Sequence, residues 1–145
     1  RSSTATVCLW GMGGGGKTVL ASSILRDDRV LPSFSNGIFW FYVGREGKER
    51  VALILELLAR ELAVTHADPP LHCPNTFDGV DEAAQHVFKI IESKTLRCLV
   101  VLDNVWDVEV VKAFANTGIH VLVTTRESTV IPPECRGGMV KVGDM

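Results

Sequence analysis

Residues 11–18 read GMGGGGKT, five glycines closed by a lysine and a threonine. The apolar, partly β-branched run TATVCLW (4–10) precedes this stretch, and KTVLASSILRD (17–27) follows it with a helical pattern. Few folds tolerate so much backbone freedom between a strand and a helix. A loop that must wrap a phosphate chain does, because side chains would hold its amides away and some positions need positive φ. Gly11, Gly16, Lys17 and Thr18 satisfy the spacing G-x-x-x-x-G-K-[ST] in the strand–loop–helix context that the mechanism requires. Gly13, Gly14, Gly15 and Gly16 would bring backbone N–H groups to the phosphates, and the following helix aims its free amides and positive dipole end at the same place. Lys17 adds a full charge for the β- and γ-phosphate oxygens, and Thr18 offers a hydroxyl to a magnesium ion. The bland alternative is a flexible glycine-rich turn, which leaves the lysine and threonine without a purpose.

Downstream, apolar runs and helical patterns alternate. NGIFWFYVG (36–44) is a strand candidate, and RVALILELLARELAV (50–64) sets Val51, Ile54, Leu55, Leu58 and Leu62 on one helical stripe. The proline-rich segment 65–79 reads as a loop. VDEAAQHVFKIIES (80–93) reads as a helix with Asp78 as candidate N-cap. RCLVVLDNV (97–105), DVEVVKAFAN (107–116), IHVLVTT (119–125) and GGMVKVG (137–143) follow as strand, helix, strand and strand. Alternation of this kind predicts an α/β fold, a parallel sheet covered by helices on both faces. The chain starts almost on its first strand and stops just past its last, so it is expected to be a piece of something longer.

Asp103 ends the apolar run CLVVLD and so falls at the carboxyl end of a buried strand, where ligands of open α/β sheets collect. A carboxylate there suits magnesium, directly or through water. Thr124, Thr125 and Arg126 end the next apolar run at the same edge. Arg126 reads either as a γ-phosphate contact or as a solvated arginine. Trp106 is expected to pack in the core or a loop rather than stack on a base.

Composition limits the partners. With 46% apolar residues the chain can build a core, and a formal net charge of −2 provides no overall basic field for gripping nucleic acid. No apolar run is long enough to span a bilayer. Cys8, Cys73, Cys98 and Cys135 include no C-x-x-C pair, so reduced thiols in a cytoplasmic protein are expected. His66, His72 and Cys73 cluster in HADPPLHC but lack metal-ligand spacing, which leaves a surface loop as the reading.

Taken together, GMGGGGKTVLA, FSNGIFWFYVGRE (34–46), CLVVLDNVWD (98–107) and GIHVLVTTRES (118–128) resemble, in order and at matching spacing, the nucleotide-binding subdomain of the NB-ARC family. These are signal-transducing ATPases of plant disease-resistance receptors and animal apoptosome proteins. The resemblance covers nearly the whole chain. It implies that residues 1–145 are one nucleotide-binding subdomain with a five-stranded parallel P-loop sheet of order 5-1-4-3-2. It further implies ADP or ATP with Mg²⁺ as ligand, Asp103 in the Walker B role and Arg126 as the sensor that distinguishes ATP from ADP. Flanking domains of the same chain would respond to the bound nucleotide, with homo-oligomerisation in the ATP state.

Three departures bear on these expectations. Asn104 stands where the family usually has a second aspartate, often assigned to polarising water. An amide cannot accept a proton as a carboxylate does, so hydrolysis is expected to be slow or absent. Val19 replaces a threonine and removes a polar contact near the phosphates. The helical and winged-helix subdomains, with their proline- and histidine-bearing motifs, lie outside these 145 residues. A nucleotide-dependent switch is therefore the leading functional expectation. A competent ATPase is the alternative, with Glu127 or a carboxylate from another domain positioning water. A P-loop kinase for a small molecule is the weakest reading, because no arginine-rich lid is evident.

Overall fold

The structure is a computed structural model and describes residues 5–11, 16–66 and 77–143. Five strands form one sheet: β1 (Thr6–Trp10), β2 (Ile38–Gly44), β3 (Leu99–Val105), β4 (His120–Thr125) and β5 (Met139–Lys141). Their order is β2-β3-β4-β1-β5, and every neighbouring pair is parallel. This is the expected order 5-1-4-3-2, read from the other edge. Helices α1 (Gly16–Leu25), α2 (Gly47–His66), α3 (Gly79–Lys94) and α4 (Val108–Ala115) make the crossovers.

The continuous apolar runs of β3 and β4 follow from burial on both faces. Val100 and Leu102 face the large core shared with α2, α3 and α4, whereas Leu99 and Val101 pack on the α1 side with Leu9, Ala21 and Leu122. All five residues of the expected α2 stripe are buried. Two helix starts differ from expectation. α2 begins at Gly47 rather than near residue 50, because this glycine permits a close approach: a Cβ there would sit 2.4 Å from Val43 Cγ1. Asp78 does precede α3, but its side chain makes no capping bond; instead its N–H donates to Glu82 Oε2 at 3.1 Å. Glu82 thus reaches back from the first turn and satisfies the entry amide, one residue beyond capping-box spacing.

Parallel pairing brings the carboxyl ends of β1, β2, β3 and β4 to one edge. Register aligns Trp10 and Val105 with Thr125, and Tyr42 with Asp103. Gly11 leaves β1 at this edge with φ +148°, its N–H donating to the Thr125 carbonyl at 3.2 Å. A Cβ on Gly11 would lie 2.6 Å from the Val142 carbonyl oxygen, so glycine is required there by backbone conformation and by the neighbouring chain.

Candidate phosphate site

Helix α1 starts directly after the glycine stretch and carries Lys17 and Thr18 in its first turn. Thr18 Oγ1 donates to Asp103 Oδ1 at 3.0 Å, joining residues 85 positions apart in sequence. Lys17 Nζ donates to the Gly11 carbonyl at 2.6 Å and is almost entirely buried, with 7% of its surface exposed. Burial, and then the positive charge of Arg126, push the Lys17 ammonium below its usual 10.5, while Asp103 opposes them. Arg126 and Asp103 therefore both act electrostatically on Lys17 at the carboxyl edge. The lysine and the acid thus share one edge of the sheet.

A residue whose role the sequence did not reveal organises the acid. Thr124 Oγ1, on β4, donates to the same Asp103 Oδ1 at 2.6 Å and accepts from the Asn104 N–H at 2.8 Å. Asp103 and Thr124 are both buried, at 6% and 2% exposure. The carboxylate is thus aimed by two hydroxyls, one from α1 and one from β4. Charge-assisted bonds of this kind are roughly twice as strong as neutral ones. Thr125 repeats the device on the backbone: Oγ1 donates to the Val105 carbonyl at 2.7 Å and accepts from the Glu127 N–H at 3.2 Å. A run of apolar residues ending in two threonines was the only available signal, and it said nothing about which strand they would serve.

Asn104 sits in the left-handed region, φ +63°, where β3 shifts register before Val105. Asparagine tolerates that conformation better than most residues. Its Nδ2 donates to the Tyr42 hydroxyl on β2 at 2.9 Å. Val19 points outward from α1 with 61% exposure. Trp106, half-buried, takes up cations rather than simply filling space. The guanidinium of Arg45 lies 4.6 Å from its ring centre and that of Arg126 5.8 Å. Its Nε1–H is buried without a hydrogen-bond partner among the described residues. Gly13, Gly14 and Gly15 lie outside the described residues, as do His72 and Cys73.

The donor set suits magnesium. Mg²⁺ takes hard oxygen ligands, usually one or two from protein with phosphates and waters completing the shell. A hydroxyl and a carboxylate oxygen already 3.0 Å apart beside a buried ammonium match that requirement. A separate cleft of about 420 Å³ opens between α2, α3 and α4, lined by Lys48, Asp81, Glu109 and Lys112; none of the edge residues contributes to it. No helix among the described residues is long and apolar enough to cross a membrane.

Comparison with known proteins places this geometry in a family. Residues 1–136 match the model of the NB-ARC domain. The chain is 34% identical over 128 residues to Apoptotic protease-activating factor 1 of Rattus norvegicus, covering 86% of this chain, and 33% identical to the Homo sapiens protein over the same length. An RPP13-like disease resistance protein of Arabidopsis thaliana is 29% identical over 126 residues, or 83% of this chain. The chain spans about a tenth of the length of these relatives, 10% and 14% respectively. In fold it is similar to the Aeropyrum pernix ORC1 protein, with a TM-score of 0.58 and 16% identity over 97% of this chain and 39% of the other. The ORC2 protein of the same organism gives 0.54, with 95% of this chain and 40% of that one covered. The chain belongs to the NB-ARC family and has its nucleotide-binding P-loop fold.

Proposed function

We propose that this chain binds ADP or ATP with Mg²⁺ and works as a nucleotide-dependent switch that hydrolyses ATP slowly. The observation that carries the reading is the convergence of Lys17, Thr18 and Asp103 at one sheet edge, with Arg126 close enough to depress the lysine's basicity. A buried ammonium whose charge is disfavoured by burial and by a second cation, and favoured by a neighbouring carboxylate, suits a phosphate anion. Lys17 would hold the β- and γ-phosphate oxygens, and the amides of Gly13–Gly16 would wrap the chain. Thr18 and Asp103 would hold the magnesium ion, which when bound neutralises phosphate charge. Thr124 keeps the carboxylate aimed. Arg126 would contact the terminal phosphate and so register whether ATP or ADP is present.

Slow turnover follows from Asn104. Its side chain is an amide, and it is engaged with Tyr42 rather than held as a free base. Nothing at that position takes a proton from water. The switch would act on flanking domains of a longer chain and support homo-oligomerisation in the ATP state. Residues 1–145 would form one nucleotide-binding subdomain of a cytoplasmic signalling protein of the innate-immunity or apoptosis type.

Mass spectrometry of the nucleotide that co-purifies, joined to a phosphate-release assay, tests the proposal. Adenine nucleotide with slow phosphate release supports it. Brisk steady turnover contradicts the switch reading, and binding of guanine nucleotide alone contradicts the ligand assignment.

A further inference from the structure

We propose that Trp106 is a positioning residue that seats Arg126 at the phosphate end of the site and thereby sets the preference for triphosphate over diphosphate. The inference rests on the reading of Arg126 as the terminal-phosphate contact and goes one step behind it.

Arg126 is exposed and leaves β4 with several rotatable bonds between backbone and guanidinium. A free arginine of that kind loses much rotamer entropy when it is fixed on a ligand. The Trp106 indole removes part of that loss beforehand. The ring leaves β3 at the neighbouring strand end, and the Arg126 guanidinium lies 5.8 Å from its centre, within the range at which a cation is drawn to an indole face. The guanidinium charge also bears on Lys17, at the same carboxyl edge of the sheet.

Two observations set this ring apart from ordinary packing. First, its Nε1–H is buried and unpartnered among the described residues, so no hydrogen bond orients it. A phenyl ring would fill space there without burying a donor; what the indole adds is the more strongly attracting face. Second, Arg45 also lies against it, 4.6 Å from the ring centre, at the end of β2. The indole thus gathers two guanidinium groups, from the loops after β2 and β4, at one edge. Like charges collected there favour an arriving anion, and the added charge of a triphosphate gains more than a diphosphate does.

The test is the ATP-to-ADP affinity ratio of the 145-residue protein in Mg²⁺, measured by calorimetry for wild type, Trp106→Leu, Trp106→Phe and Arg126→Ala. Trp106→Leu should lower the ratio about two- to fivefold, the scale of an exposed cation–π contact, with ADP affinity kept within about twofold. Trp106→Phe keeps a ring with a weaker face and should give a ratio between those of wild type and Trp106→Leu. Arg126→Ala should lower the ratio at least as far, and adding Trp106→Leu to it should lower it by less than Trp106→Leu does alone. If Trp106→Leu fails to fold, Trp106→Met supplies the aliphatic comparison. An unchanged ratio in the aliphatic variant, with a lowered one in Arg126→Ala, overturns the positioning role and leaves the Arg126 reading intact. An unchanged ratio in Arg126→Ala removes the Arg126 reading, and the role of Trp106 with it.

Discussion

Replacing Thr124 by valine tests the hydroxyl that aims Asp103. The two side chains have the same shape, so the change removes one oxygen and leaves the packing of β4 in place. Two bonds disappear. The Asp103 carboxylate loses its 2.6 Å donor, a charge-assisted bond worth about 1.5–3 kcal/mol. The Asn104 N–H loses its 2.8 Å acceptor, and a buried orphan donor costs about 1–3 kcal/mol, toward the low end here because this amide is only partly buried. Thr18 still donates to the same carboxylate oxygen, which limits the loss. The net expectation is about 2–4 kcal/mol of destabilisation by urea unfolding at unchanged m-value. At roughly 3 °C per kcal/mol for a chain of this size, the melting temperature should fall by about 6–12 °C. Thr124→Ser keeps the hydroxyl and should lose only about 1 kcal/mol, for one buried methyl. The reasoning is refuted if valine is tolerated within 0.5 kcal/mol of wild type, or if serine is as damaging as valine.

Other expectations concern the same edge and the core. Asn104→Asp supplies a carboxylate at the end of β3 while still able to accept a hydrogen bond from the Tyr42 hydroxyl; ATP turnover should rise, and an unchanged rate would show that something other than the missing acid limits it. Lys17 titrates below 10.5 in the folded protein and near 10.5 when unfolded, so between those values the folded state binds fewer protons. Stability from this group therefore rises with pH through that window, and its cost is complete below it. Phosphate binding restores the ammonium, so calorimetry at alkaline pH in buffers of different ionisation enthalpy should show proton uptake; no buffer dependence would contradict the placement of the lysine. Burial pushes the Cys8 thiol up to about 12 and the Cys98 thiol up to about 11. Neither should react with iodoacetamide at neutral pH until the protein unfolds, and rapid native-state labelling of either would contradict its burial.

The elements that were legible in the sequence are those whose signal is local. Strand order followed from family resemblance, but the existence of β3 and β4 followed from their continuous apolar runs, since central parallel strands bury both faces. The glycine stretch with Lys17 and Thr18 is likewise a local signal, its whole motif lying within eight residues. The start of α2 was missed because glycine reads as a helix breaker, whereas Gly47 is there to let Val43 and Val110 come close. The short 3₁₀ turn Leu31–Phe34 carries no periodic pattern and was not foreseen. The remaining site features are long-range. Thr124 serves Asp103 across 21 positions, and Asn104 meets Tyr42 across 62. Such pairings exist only once the register of neighbouring strands is fixed, and register is a property of the assembled sheet. The gathering of Arg45 and Arg126 on Trp106 belongs to the same class, since three separate loops supply it.

Titration of ADP into wild type and Lys17→Ala, in Mg²⁺ and by calorimetry, reaches the centre of the account. One nucleotide should bind per chain, and the alanine variant should lose about 1.5–3 kcal/mol of affinity, roughly 10- to 150-fold, as a charge-assisted contact disappears. Equal affinity in the two proteins, with both folded, would mean that the buried ammonium beside Asp103 is not where the phosphates bind.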